Sequence, residues 1–168
     1  LLQSALGFSA GLFLWLRSFN KREKMRIKVK KAHPNAVMPQ YQTSGAACFD
    51  LHVIEGCIIP ARSRSPMLST GLQIEVPDGY VMKVYIRGGH GINAGLQLSN
   101  SVGIVDADYT GITMIRLQND TDDIYHVKNG ERVAQAEIVP CWQCEFVEVD
   151  EIKTTVRGDG AFNSTGKQ

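Results

Sequence analysis

Gly103-Ile104-Val105-Asp106-Ala107-Asp108-Tyr109-Thr110-Gly111 sets two carboxylates and a phenol ring between apolar runs at 96–102 and 112–117. Short apolar runs on either side of a polar turn read as strand, turn, strand. Glycines at both ends suit a tight turn and a close approach of backbone to a ligand, so the segment is expected to be hairpin-like. A carboxylate presented in this way is a candidate for activating water.

The same grain continues outward. Residues 26–30 alternate charged and apolar side chains, and 49–53, 57–59, 72–76 and 81–86 are short and rich in strand formers. Runs at 112–117, 133–139 and 145–149 extend the series. Turn signals separate them: Glu55-Gly56, Pro77-Asp78-Gly79, Asn119-Asp120 and Lys128-Asn129-Gly130. Only 88–98 has room for a helix, and it is rich in glycine. Many short strands at this spacing predict an all-β sandwich or barrel.

The chain has 168 residues, enough for one domain with its own core. A hydrophobic share of 43% and a charged share of 21% fit a globular protein. A net charge of +1 creates no field for general nucleic-acid binding, and no nucleic-acid partner is expected. The basic run Lys21-Arg22-Glu23-Lys24-Met25-Arg26, with Lys28, Lys30 and Lys31, reads as a solvated arm. Residues 1–16 are apolar and uncharged, yet shorter than the roughly 20 residues a spanning helix needs. No positive segment precedes them, as a secretory signal would require. Met25 is a natural start for the folded region. Residues 1–24 are therefore expected to lie outside the catalytic domain, as a targeting or anchor remnant, upstream sequence or a fusion scar. Membrane contact by this segment is the disfavoured alternative.

Of four cysteines, Cys141 and Cys144 form a Cys-x-x-Cys. It precedes an expected strand rather than a helix, which argues against a redox site, and Cys48 and Cys57 lack the spacing of a second zinc-binding pair. Reduced thiols are expected.

Four further segments accompany the central one. Ala46-Ala47-Cys48-Phe49-Asp50-Leu51 and Arg87-Gly88-Gly89-His90-Gly91 precede it; Gly130-Glu131-Arg132-Val133-Ala134-Gln135 and Arg157-Gly158-Asp159-Gly160-Ala161-Phe162-Asn163-Ser164-Thr165-Gly166 follow. In order and spacing the five resemble the motifs of the trimeric deoxyuridine triphosphatases (dUTPases), from about Met25 to the C-terminus. The resemblance narrows the fold to a distorted jelly roll, the dUTPase-like β-clip, over 25–156, with a flexible glycine-rich lid at 157–168. It implies hydrolysis of dUTP to dUMP and pyrophosphate by water attack at the α-phosphorus. That reaction limits uracil in DNA and supplies dUMP for thymidylate synthesis. It also implies a homotrimer with shared sites, Mg²⁺ carried by the substrate phosphates, and a cytoplasmic location (the host's cytoplasm for a viral source). A targeting role for the N-terminus stays open.

The resemblance assigns roles residue by residue. Asp106 activates the water, while Asp108 is structural; on a strand the two would point the same way. Tyr109 lies under the deoxyribose and leaves no room for a ribose hydroxyl. Asn100, Gly103, Ile104, Val105 and Met114 read uracil, largely through main-chain groups. Arg87, Gly88, Gly89 and Gln135 meet the phosphates. Asp50 organises the site and reaches a metal only through water. In the lid, Arg157 meets the γ-phosphate and Phe162 stacks on uracil, while Ser164 and Thr165 donate to terminal phosphates. The chain departs from the family pattern in five places. Gly88 stands for a serine, and Glu131 for an aspartate. Ala161 and Asn163 stand for glycines, and His90, read as a surface side chain, replaces an apolar residue. Gly88 and Ala161 favour the alternative of a weakened nucleotide-binding or regulatory homologue. A dCTP deaminase-like enzyme is a further alternative, disfavoured by Asp106-Ala107-Asp108-Tyr109 and by the lid.

Overall fold

The computed structural model describes residues 24–161. The strands are β1 (Val29–Lys31), β2 (Phe49–His52), β3 (Cys57–Ile59), β4 (Leu68–Ile74) and β5 (Tyr80–Ile86). A short π-type helix (Gly89–Asn93) follows. Then come β6 (Leu96–Leu98), β7 (Gly103–Val105), β8 (Ile112–Ile115), β9 (Leu117–Asn119), β10 (Tyr125–Val127) and β11 (Arg132–Pro140). They build open antiparallel sheets in the orders β2-β11-β5-β7, β1-β4-β8, β6-β9 and β10-β3, and none closes into a barrel. The all-β expectation holds, and the one helix among the described residues falls inside 88–98.

Alternation decides which face each strand buries. On β5, Met82 and Val84 turn inward, whereas Lys83 and Tyr85 turn outward toward β11 partners. Lys83 sits opposite Glu137, and the Tyr85 hydroxyl donates to Glu137 Oε1 at 2.8 Å. The β5–β11 ladder runs from Ile86↔Ala134 to Tyr80↔Pro140. It stops where proline has no N–H left to donate. Leu51, Ile59, Leu72, Met82, Leu96, Leu117 and Val133 fill the centre of one apolar core.

Gly71 interrupts β4 with a φ of +66°, and the β4–β8 register shifts between Ser69 and Gln73. A Cβ there would meet Ile54 Cδ1 at 2.6 Å and Ala36 Cβ at 2.9 Å. Gly71→Ala is expected to lower the melting temperature. The left-handed conformation costs about 1–2 kcal/mol and overpacking about 1–3 kcal/mol. Thermal unfolding followed by circular dichroism checks this; an unshifted melt would mean the irregularity relaxes at no cost.

Two expectations fail. Residues 145–149 are not a strand: nothing from 141 to 161 pairs in a ladder. Trp142 and Phe146 are 88% and 95% exposed. The run has strand composition, but a strand needs an edge to pair with, and none among the described residues receives it. The central segment is also not a paired hairpin. β7 adds to β5 and β8 adds to β4, so the polar turn crosses from one sheet to another. Residues 1–23, and the readings made for them, lie outside the described residues, as do Phe162, Ser164 and Thr165.

Candidate active site

Three strands carry a polar row across the four-stranded sheet: Asp50 on β2 opposite Gln135 on β11, and Gln135 opposite Tyr85 on β5. Asp50 is only 5% exposed. A carboxylate this buried needs partners, and it has two. Arg87 Nε lies 3.0 Å from Oδ1, and Arg132 Nη1 lies 3.1 Å from Oδ2. Arg87 also donates from Nη1 to the Arg132 carbonyl at 3.2 Å. Gln135 Nε2 donates to the Ile86 carbonyl at 3.3 Å. Two guanidinium groups against one carboxylate leave an excess positive charge, suited to phosphate oxygens. Arg132 was not among the predicted site residues. It sits inside the fourth motif, but its pairing with Asp50 spans the β2–β11 ladder, and no local pattern signals it.

Beyond Ile86 the chain turns through Arg87, Gly88 and Gly89 into the π-type helix. Gly88 has φ −53° and ψ −41°, ordinary for any residue, and a Cβ there would meet nothing within 4 Å. His90, expected at the surface, is buried at 8% exposure. Its Nε2 lies 2.8 Å from Glu131 Oε1. Tyr125 donates to the same oxygen at 3.4 Å, and the Lys128 amide donates to Oε2 at 2.7 Å. Burial alone would raise the Glu131 carboxyl; the Lys128, His90 and Tyr125 bonds outweigh it and hold the group below the usual carboxylate range. The correction for His90 has a plain cause: the Glu131 carboxylate and the Tyr125 ring hold the imidazole inside.

A recess of about 290 Å³ opens where β5, β6, β7 and β8 converge. Its walls include Asn100, Gly103, Ile104, Val105 and Met114, all predicted uracil contacts, together with Met67, Leu98 and Arg116. Gly103 has no left-handed φ; its value is the close approach to Val84, whose Cβ would lie 3.0 Å from an added one. The left-handed residue of the turn is Ser101, at φ +62°, held by its N–H to the Leu98 carbonyl at 2.9 Å. Gly111 likewise serves packing, because the Tyr109 hydroxyl lies 2.5 Å from where its Cβ would sit. Tyr109 folds back over this glycine and donates to the Ile112 carbonyl at 2.9 Å. Gln73 pins the same turn by donating to the Thr110 carbonyl at 2.7 Å.

Asp106 is exposed and leaves β7 immediately after Val105. Asp108 lies in the turn that follows, so the strand argument for a shared direction does not apply to it. The register places Val105 opposite Met82, whereas Arg87 follows Ile86 at the other end of β5. Five residues of strand separate those ends, roughly 17 Å. The structure thus gathers Asp50, Arg87 and Gln135 at one end of the sheet, and the chain's own Asp106 stands at the other. Arg157 is apart from both: it lies in an exposed turn, with Nε donating to the Gly160 carbonyl at 2.9 Å.

The sequence profile of the dUTPase family matches residues 34–166. The chain belongs to the dUTPase family. Among curated dUTPases, the deoxyuridine 5'-triphosphate nucleotidohydrolase of Nautilia profundicola is 41% identical over 85% of this chain and 100% of its own length. That of Helicobacter hepaticus is 40% identical, covering 84% and 89%. Among solved dUTPases, a mutant of the Staphylococcus bacteriophage 80alpha enzyme with dUpNHpp superimposes with a TM-score of 0.79 at 26% identity, over 86% of this chain and all of that one. The phage phi11 dUTPase, whose structure describes coordination of a structural Mg(II) ion, shares the fold at a TM-score of 0.70 and 22% identity, covering 76% and 98%. Burial pushes the Cys48 and Cys57 thiols of this dUTPase up. Among the described residues no helix is long and apolar enough to cross a membrane.

Proposed function

We infer that the chain hydrolyses dUTP to dUMP and pyrophosphate at sites shared between the subunits of a homotrimer. Asp106 accepts a proton from a water whose oxygen bonds to the α-phosphorus, as the bond to the bridging oxygen of the leaving pyrophosphate breaks. Uracil enters the recess at Asn100, Gly103, Ile104, Val105 and Met114. Tyr109 lies against the sugar and bars a ribose hydroxyl. Arg87, the Gly88 and Gly89 amides and Gln135 meet the phosphates, with Arg157, Phe162, Ser164 and Thr165 closing over them as a lid. Residues 25–156 form the catalytic domain and 157–168 the lid. The expected location is the cytoplasm.

The separation of Asp106 from Arg87 along β5 carries this reading. A base at one end of a strand and a phosphate ligand at the other cannot meet across one α-phosphorus, so a second copy has to bring its Arg87 end to the first copy's Asp106. The exposed 141–156 segment supports the same assembly. Trp142, Phe146, Val149, Ile152 and Val156 all lie on the surface, more apolar area in one stretch than an isolated chain tolerates. Packed on a neighbour, it would carry the lid to that neighbour's site.

The acidic groups fit Mg²⁺ held through the substrate. Both oxygens of Asp50 are occupied by arginines, and no cluster of three potential ligands occurs among the described residues. A hard cation of this kind keeps water and phosphate oxygens as ligands, and when bound it offsets triphosphate charge. Asp50 therefore fixes Arg87 and Arg132 and meets the ion only through water.

Mixed trimers test the shared site. Asp106→Asn and Arg87→Ala chains, each expected to be nearly inactive alone, should together recover about a quarter of wild-type pyrophosphate release, the share random assortment gives. Recovery on dUTP with little on UTP, dTTP or dCTP supports the reading. A co-refolded mixture as inactive as its parents would reject it.

A further inference from the structure

We propose that His90 is a positioning residue for the phosphate-binding turn, acting through its hydrogen bond to Glu131. The inference rests on Arg87 meeting the phosphates and deepens that reading.

Residues 87–91 read Arg-Gly-Gly-His-Gly. Glycine gives a backbone more freedom than any other residue. Side chains of the turn do little to restrain it: positions 88 and 89 have none, and a Cβ at either would touch nothing. The link from the Arg87 amide to the Val133 carbonyl is long, at 3.4 Å. The Arg87 carbonyl accepts from the His90 and Gly91 amides at 3.0 and 2.9 Å, which ties Arg87 to His90 but leaves the pair free to swing together. The His90 side chain stops that swing. Its ring lies edge-on to Tyr125 with centroids 6.1 Å apart, and Nε2 bonds Glu131.

Glu131 is a rigid anchor. Its carboxylate takes the Lys128 amide, and its carbonyl accepts from the Val53 amide at 3.0 Å. The next residue is Arg132, which grips Asp50, and Asp50 grips the Arg87 guanidinium. A closed circuit results. The side chain of Arg87 is fixed through Asp50 to residue 132, and its backbone is fixed through His90 to residue 131. Both restraints end on adjacent residues at the start of β11. Held at both ends, Arg87 and the neighbouring amides lose little freedom when a triphosphate arrives, which is how preorganisation speeds a reaction without adding a contact.

The other ring nitrogen argues that the polar link, and not packing, accounts for a histidine here. Nδ1 is buried with no partner among the described residues. An apolar side chain would fill this place without stranding a polar atom. With Nε2 carrying the proton toward Glu131, Nδ1 is a bare acceptor, the less demanding atom to leave unpaired.

His90→Leu tests this beside His90→Gln, whose amide can donate to Glu131 in place of Nε2–H. In dUTP hydrolysis with Mg²⁺, His90→Leu is expected to lower kcat about tenfold with KM within threefold, since small misplacements of a positioning group act on the chemical step. His90→Gln should return kcat to within about threefold of wild type. Glu131→Gln combined with His90→Leu should be no worse than the poorer single variant. Full kcat in a folded His90→Leu overturns the proposal. So does a folded His90→Gln as slow as the leucine variant, and this second comparison decides if leucine compromises folding. Arg87→Ala separates the two levels: if it loses activity while His90→Leu does not, only the positioning role falls. If Arg87→Ala is fully active, the assignment of Arg87 falls first.

Discussion

Asp106→Asn is expected to cut dUTP turnover by about 10²–10⁴-fold while leaving nucleotide binding within a few-fold of wild type. The amide has nearly the shape of the carboxylate but cannot take a proton from water. Asp106 is exposed at the end of β7, and its side chain makes no bond to the described residues that the substitution would break. Stability should therefore not move. Nor does Asp106 line the recess proposed for uracil, whose walls end at Val105 on that strand. Affinity for a non-hydrolysable dUTP analogue by calorimetry, beside pyrophosphate release, separates the two effects. Near-normal turnover in this variant would remove Asp106 from the chemistry.

Gly88→Ser is expected to raise turnover, by up to about 10²-fold, the scale on which a single transition-state donor acts. The backbone at 88 is right-handed and unstrained, and the space around a Cβ is open. The substitution therefore adds a hydroxyl next to Arg87 with nothing to displace. The motif resemblance implies a serine at this place, so its hydroxyl is the phosphate-side donor that Gly88 leaves out of that pattern. An effect on kcat at nearly constant KM would locate the new bond in the transition state. Unchanged kcat in a folded variant would mean that the Gly88 amide already fills the role.

Local chemistry was legible in the sequence, and long-range register was not. The strand formers of 81–86 and the polar turn bounded by glycines announced strands, because both depend on neighbours a few residues away. The recess residues Asn100, Gly103, Ile104, Val105 and Met114 do converge, although β7 and β8 lie in different sheets. The meeting of Asp50 with Arg132 depends on how β2 and β11 align, residues 82 positions apart. Burial of His90 depends on Glu131, 41 positions away. Neither distance leaves a trace in local pattern. Residues 145–149 mislead for a different reason: their composition fits a sheet edge that the described residues do not offer them.

With Asp106 beyond one end of β5 and Arg87 beyond the other, the shared sites proposed above would let a genetic lesion reach past the polypeptide that carries it. In the proposed trimer a subunit lacking only the base would silence the pocket to which it lends Asp106, and a subunit lacking only the guanidinium would silence a different one. An allele with both defects poisons both pockets at once, so in a heterozygous cell it dominates more strongly than either single lesion would.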